Sequence, residues 1–578
     1  MYIKTKIENL IRDSLKNLNI EVSDIILEHP ADLKLGDYST NVAMAIAKSV
    51  QTNPKELAHK MVTEIERLNL DKYIEKIEVA GTGFINFYLS RKFFANSVEE
   101  ILNNKDFAKN NIFSGKKIMI EYTDPNPFKP FHIGHLMTNA IGESLARILD
   151  HSGATVSRAN YQGDVGLHVA KAIYILLKNP KEYIQKGPTN AAISFWIGKA
   201  YAKGAEAYET NPEAKSEIDE INKKIYERSE DKINEIYDWG LEVTMKAFED
   251  IYDMLGTQFD FYFLESQVAR IGEEVVNANI GKVFEKSDGA VVFKAEKHDP
   301  KLHTRVFITS QGLPTYEAKE LGLFEEKFTK EHDLNLSIVV TANEQMDYMK
   351  VVAKAISLIH PEYKDKILHI THGMMRLASG KMSSRKGNVI TGESLIRDTV
   401  ALVSEKMKER DYSEGENRKI AEAVGVSALK YSILKQNISG NIIYDFKKSI
   451  SFEGDSGPYL QYSYTRANSV LEKAKVDDVL PSFIFDGDDK KIPEPGEMEK
   501  LLYKFPEIVL RSAKEFEPHY VANYLIDLAR AFNTFYGNTK IIDKDDPTSS
   551  YKIALTFAFS IIMKNGLYLL GIKALEKM

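Results

Sequence analysis

The chain has 578 residues, 43% hydrophobic and 28% charged, with a formal net charge of −7 and no cysteine. At roughly 150 residues per domain it is long enough for about four units, and no run reaches the roughly 18 apolar residues of a spanning helix. These figures exclude a disordered polymer, a collagen-like fibre, a membrane bundle, disulfides, thiol catalysis and thiolate zinc sites. An acidic chain meets a polyanion only through local basic patches. The amphipathic, charged start MYIKTKIENLIRDSLKNLNI does not read as a secretory signal, so a cytoplasmic location without a membrane partner is expected.

Residues 1–110 read as a separate α+β module. Ile7, Leu10, Ile11, Leu15 and Leu18 recur at helical spacing, as do Leu57, Met61, Ile65 and Leu68. Ile85, Phe87 and Leu89 then alternate as one face of a strand. The polar run NNKDFAKNNIFSGKK is expected to be a linker. From 111 to 415 strand and helix patterns alternate: KIMIEY, then a helix carrying Leu136, Ala140, Ile141, Leu145, Ile148 and Leu149, then TVSRANY, and later SIVVTA and ILHITHG around MDYMKVVAKAISLI. That alternation predicts a parallel, doubly wound Rossmann-like sheet, with a charged helical insertion at about 171–300. Residues 416–578 are predicted to be all helix, interrupted by the Pro- and Gly-rich loop VDDVLPSFIFDGDDKKIPEPGEMEK.

Two segments carry chemistry. PNPFKPFHIGHL lies between a strand and a helix, where unpaired amides and the helix dipole suit a phosphate. His132 and His135 are three apart and share a face, and Gly134 leaves room for a flat base. LASGKMSSRKGNVI gathers Lys381, Arg385 and Lys386 in a stretch able to close over a triphosphate. Each segment alone describes a surface turn equally well. Neither is a P-loop, because Met382 follows Lys381 where a hydroxyl residue belongs, and no GxGxxG follows a strand.

Together, HIGH and a KMSSR loop about 250 residues later resemble a class I aminoacyl-tRNA synthetase. LGDYSTNVAMAIAK and GTGFINF, EYTDPNPFKPFHIGH and NYQGDVG, and SFEGDSGPYLQYSYTRA, FNTFYGN and NGLYLLGIKALEKM resemble arginyl-tRNA synthetases from end to end. The resemblance implies ATP held by His132, Gly134, His135, Lys381, Met382 and Ser383, with Mg²⁺ arriving with ATP and no zinc. It implies L-arginine held by Glu121, Asn126 and Gln345 at its amino-acid end, and by Glu265, Tyr316 and Glu320 at its guanidinium. A guanidinium is planar, always charged and has five donors, so carboxylates suit it. For tRNA(Arg), the matching anticodon positions are Tyr459, Arg466, Tyr536 and Met578, in a helical anticodon-binding domain, and the matching elbow positions are Phe84 and Asn86.

The family generally has Asp where Glu320 stands, and Ser384 replaces the second lysine of KMSKS. Charge on the transition state therefore falls to Lys129, Lys381, Arg385 or Lys386, a choice left open by the sequence. The resemblance also implies an in-line attack of the arginine carboxylate on the α-phosphate, activation that needs tRNA, and a monomer. The rival readings are a synthetase for another amino acid, a synthetase-like protein that binds tRNA without catalysis, and a free-standing nucleotidyltransferase.

Overall fold

The computed structural model describes residues 2–68, 70–183, 187, 189–378, 391–408, 410, 412–482 and 494–578. Lys381, Met382, Ser383, Arg385 and Lys386 lie outside the described residues.

In the N-terminal part, helices Tyr2–Asn17 and Pro54–Arg67 bury Ile7, Ile11, Leu15, Leu57, Met61 and Ile65. They cover an antiparallel sheet of β1 (Leu27–Glu28), β2 (Tyr38–Thr40), β3 (Ile74–Ala80) and β4 (Phe84–Leu89), ordered β1-β2-β4-β3. Asn53 starts the second helix by accepting from the Lys55 and Glu56 amides, with Pro54 at its first position. The polar run expected as a linker is instead anchored, because Phe107 and Ala108 are buried in the large central core. Two apolar side chains suffice to pin a segment that otherwise looks solvated.

The chain then lays down β5 (Lys117–Glu121), β6 (Thr155–Gln162) and β7 (Phe261–Leu264). A small antiparallel sheet follows, formed by β8 (Glu285–Ser287), β9 (Ala290–Phe293) and β10 (Arg305–Ile308). Two further strands, β11 (Leu336–Ala342) and β12 (Ile367–His372), complete a parallel five-stranded sheet ordered β12-β11-β5-β6-β7. The order reverses direction between β5 and β11, so the carboxyl ends of the strands open on one crevice at the switch point. Glu121, Gln162, Leu264 and Ala342 are the last residues of four of these strands.

Helices Leu167–Lys178, Asn190–Thr210, Pro212–Glu227 and Asp231–Leu255 form an inserted bundle with a core of its own. The chain rejoins the sheet earlier than the expected 300. Phe261–Leu264 pairs with Ala159–Gln162, and a four-residue strand is too short to declare itself by periodicity. Helix Glu265–Ala278 crosses helix Tyr316–Lys330 at two glycines. A Cβ on Gly272 would lie 1.8 Å from the Ala318 carbonyl oxygen, and one on Gly322 would lie 2.1 Å from that of Val268.

The C-terminal part is helical apart from Ile442–Tyr444, which pairs in parallel with Met375–Leu377 of the preceding part. Its core is continuous with that of the sheet domain through Leu136 and Leu145, packed with Leu429, Phe559 and Leu567. Polar ties reinforce the junction: Ser144 Oγ donates to the Leu569 carbonyl at 2.8 Å, and Lys430 Nζ to those of Leu255 and Gly571 at 2.6 and 2.8 Å. On its far side Glu507 meets Lys4 and His29, each at 3.4 Å, while Tyr503 enters the N-terminal core.

Gly322→Ala must push the two crossing helices apart. We expect a loss of about 1–3 kcal/mol of stability, read as a lower thermal midpoint, whereas Gly415→Ala, with open space around its Cβ, leaves the midpoint unchanged.

Candidate active site

The loop from β5 to helix Ile133–His151 is strained and pinned. Thr123, Asp124 and Phe128 have φ of 83°, 48° and 65°, a conformation costly for β-branched and bulky residues. Asn139 Nδ2 donates to Thr123 Oγ1 at 3.1 Å, and the Tyr161 amide donates to the Asp124 carboxylate at 2.8 Å. Phe128 is buried in the inserted bundle, against Tyr237.

The helix then starts on a reciprocal histidine cap. The His135 amide donates to His132 Nδ1 at 3.3 Å, and the His132 amide to His135 Nδ1 at 3.2 Å. The rings stack with centroids 3.4 Å apart, and a Cβ on Gly134 would come within 3.0 Å of the His132 ring. Both Nδ1 atoms accept, so each neutral ring carries its proton on Nε2, free to donate to an anion. Burial, followed by the Lys129 charge, pulls His132 down to about 4. Burial and the His132 and Lys129 charges hold His135 well below its ordinary value. Lys129 lies over the Tyr201 ring at 5.4 Å, its ammonium depressed by burial. Just past the segment holding the basic loop residues, the Gly392 amide donates to the Phe131 carbonyl at 2.8 Å. The chain thus re-enters the described structure beside the histidine turn.

Carboxylates line the adjoining floor. Glu121 is ion-paired with the fully buried Lys327. Glu320 accepts from the Tyr348 hydroxyl at 3.2 Å through Oε1, whereas its buried Oε2 has no hydrogen-bond partner. Burial and then the Glu121 charge push Glu320 up to about 8, and the same two causes raise Asp124. Glu265, the first residue of its helix, is ion-paired with the buried Lys319 and raised by burial. A Cβ on Gly163 would lie 2.3 Å from Asn126 Oδ1 and 3.0 Å from Glu265 Oε2, so this glycine keeps the space between them open. Tyr161, raised by burial and then by the charges of Glu265, Glu320 and Glu121, marks where these carboxylates face one another.

The structure therefore brings together Glu121, Asn126, Glu265 and Glu320 beside the histidine turn. Tyr316, which the resemblance places at the guanidinium with Glu320, is 70% exposed, and its ring lies 5.3 Å from the Lys319 ammonium. As the first residue of its helix it swings outward. Gln345 is exposed in the turn after β11. Asp124, Tyr161, Lys319, Lys327 and Tyr348 are additions that spacing alone does not announce, since each meets its partners from distant segments.

In the helical part, Arg466 is stacked between the rings of Tyr462 and Tyr536, at 4.7 and 4.8 Å. It is bonded to Asn533, which donates in turn to the Tyr459 hydroxyl at 3.0 Å. Tyr459, Arg466 and Tyr536 thus form one cluster, with Tyr536 exposed. Met578 differs, its side chain buried with Val403, Met407 and Ala421. In the N-terminal sheet Phe84 is exposed, but Asn86 is buried and accepts from Ser39 Oγ at 2.6 Å, so its side chain is already engaged.

A doubly wound sheet whose switch point carries a histidine-capped helix and a nearby acidic floor fits a class I aminoacyl-tRNA synthetase. Residues 97–446 match the family model for class I (R) tRNA synthetase catalytic domains, 460–578 that for the DALR anticodon binding domain, and 5–89 that for the arginyl tRNA synthetase N-terminal domain. The chain belongs to the arginyl-tRNA synthetase family. It is 31% identical to the arginine–tRNA ligase of Fusobacterium nucleatum over 99% of both chains, and 30% to that of Borrelia hermsii over 100% of this chain and 98% of the relative. The arginyl-tRNA synthetase structure from Thermus thermophilus shares the fold with a TM-score of 0.79 at 23% identity, covering 99% of this chain and all of that one.

Because His132 titrates near 4 when folded and near 6.5 when unfolded, the unfolded chain binds more protons between those values. Stability is full above about 6.5 and falls as pH drops toward 4. His132→Asn keeps a capping oxygen but removes the titration, so the slope of thermal midpoint against pH in that window should flatten.

Proposed function

We infer that the chain attaches L-arginine to tRNA(Arg) in two steps, through an arginyl-adenylate made from ATP. The observation that carries this reading is the under-neutralised acidic floor beside the histidine cap. A cationic side chain held on that floor leaves its amino-acid end toward Glu121, Asn126 and Gln345. The substrate carboxylate then faces an α-phosphate resting at the helix start.

No side chain acts as a nucleophile. The neutral rings of His132 and His135 donate from Nε2 to phosphate oxygens, and the helix N-terminus adds its amides. Lys129, with Lys381, Arg385 and Lys386, supplies positive charge as the carboxylate oxygen bonds to the α-phosphorus, the α–β phosphoanhydride bond breaks and pyrophosphate leaves. Gly134, Lys381, Met382 and Ser383 border the nucleotide. Among the described residues no set of three or more His, Asp or Glu side chains is placed to hold a metal ion. Mg²⁺ brought in with ATP would offset part of the triphosphate charge. Glu320 takes the guanidinium, Glu265 flanks it, and Tyr316 closes over it.

Tyr459, Arg466 and Tyr536 offer aromatic and guanidinium planes to unstacked anticodon bases. Phe84, exposed at the start of β4, is the elbow contact, with Asn86 and Met578 acting beneath the surface. We also propose a monomeric, cytoplasmic protein. Among the described residues no helix is long and apolar enough to cross a membrane.

Glu320→Gln removes a buried charge facing a buried cation, a loss of about 2 kcal/mol or more. The KM for arginine in tRNA-dependent ATP–pyrophosphate exchange should rise by roughly 30-fold or more, with the KM for ATP little changed. The guanidinium binds the ionised carboxylate, and Glu320 titrates near 8. The arginine KM should therefore fall as pH rises toward 8, and Glu320→Gln should abolish that trend. Tyr536→Ala should weaken tRNA binding by about 1–3 kcal/mol in a filter-binding assay and leave arginine binding unchanged.

A further inference from the structure

Lys319 stands out because it already occupies the partner that the substrate needs. Its ammonium is buried and ion-paired with Glu265, donates to the Tyr226 hydroxyl at 3.2 Å, and lies under the rings of Tyr226 and Tyr316 at 5.8 and 5.3 Å. Burial works against that charge, yet Glu265 and Tyr226 hold it above its ordinary range. Glu320, the next residue, keeps Oε2 buried and unpartnered, and feels the Glu265 charge. One half of the acidic slot is filled from within the chain, and the other half is open.

We propose that Lys319 is an internal stand-in for the substrate guanidinium, holding Glu265 until arginine displaces it and so setting the threshold that an incoming amino acid must exceed. This rests on the arginine reading above. The chemistry of the two cations makes the exchange directional. A lysine ammonium is a point charge on a flexible stem, whereas a guanidinium is a planar fork that can serve two carboxylates at once. Arginine can therefore bridge Glu265 and the open Glu320, a gain that the tethered ammonium cannot match. Free lysine offers Glu265 nothing that Lys319 does not already supply at a high effective concentration. The exit is built in: Tyr316, which roofs the ammonium, is 70% exposed, and four rotatable carbons let Lys319 swing toward solvent. Glu265 Oε2 and Asn126 Oδ1 both border the gap left by Gly163.

The test is calorimetric binding of L-arginine and L-lysine to the full chain, together with thermal shift. Lys319→Met removes the competitor, so arginine should bind tighter, on the order of tenfold, and lysine should begin to bind, narrowing the selectivity. Lys319→Arg installs a better competitor and should weaken arginine binding. In Lys319→Ala, added n-butylammonium should compete with arginine, as it does not in the unsubstituted protein. Unchanged or weaker arginine binding by Lys319→Met, with lysine still excluded, would overturn the proposal and make Lys319 a support for Glu265. If Lys319→Met does not fold, Lys319→Gln gives the same reading. Absence of arginine binding to the unsubstituted protein would instead overturn the arginine reading itself.

Discussion

Charge balance in a buried space governs this molecule. Glu121, Asp124, Glu265 and Glu320 gather near the carboxyl edge of the sheet, and among the described residues the buried ammoniums of Lys319 and Lys327 pair with Glu265 and Glu121. Burial and a neighbouring carboxylate disfavour the charged form there, as the upward shifts of Asp124 and Glu320 record. The site is thus stable as it stands and still short of positive charge. On the reading proposed above, a cationic substrate favours the ionised form of Glu320 as it binds, which a neutral amino acid does not.

That balance depends on backbone placement more than on the acids themselves. Glu265 and the pair Lys319 and Glu320 belong to different helices, and they meet because Gly272 and Gly322 let those helices touch at their backbones. Gly163 and the strained Thr123–Asp124 turn do the same for Asn126. At the nucleotide end the requirement is opposite. Two imidazoles must stay neutral to cap the helix through Nδ1 and donate through Nε2, and burial beside Lys129 keeps them so. An acidic floor and an electropositive turn thus sit at two ends of one short loop.

How much of this can be read in the residues follows from range. The histidine turn is legible because cap, glycine and helix are contiguous, and the parallel sheet is legible because its strands are apolar and separated by periodic helices. The pairing of Glu265 with Lys319 is not, since 54 residues separate them and either would pass for a solvated charge on a helix surface. The resemblance groups Tyr316 with Glu320, but order along a helix does not say that its first residue stays exposed while its fifth is buried. Asn86 and Met578 match positions by order along the chain, and order carries no information about burial. The return of the chain at Phe261 was hidden because four aromatic-rich residues satisfy a strand and a helix equally.

The helix from Ile133 to His151 ties the histidine turn to the C-terminal helical part. Its first turn is the histidine cap; its later turns bind the C-terminal segment, through Ser144 to Leu569 and Arg147 to Tyr568, and Arg147 also donates to the Gly256 carbonyl at the end of the inserted bundle. Glu143 on the same helix is bonded to Tyr122, Arg147 and Arg158, which fixes the helix against β5 and β6. Lys430, buried between Leu255 and Gly571, closes the same junction from the helical side. The cluster around Arg466 packs on helices that share a continuous core with this element. The histidine cap and the Arg466 cluster are therefore both referred to one helix and one core.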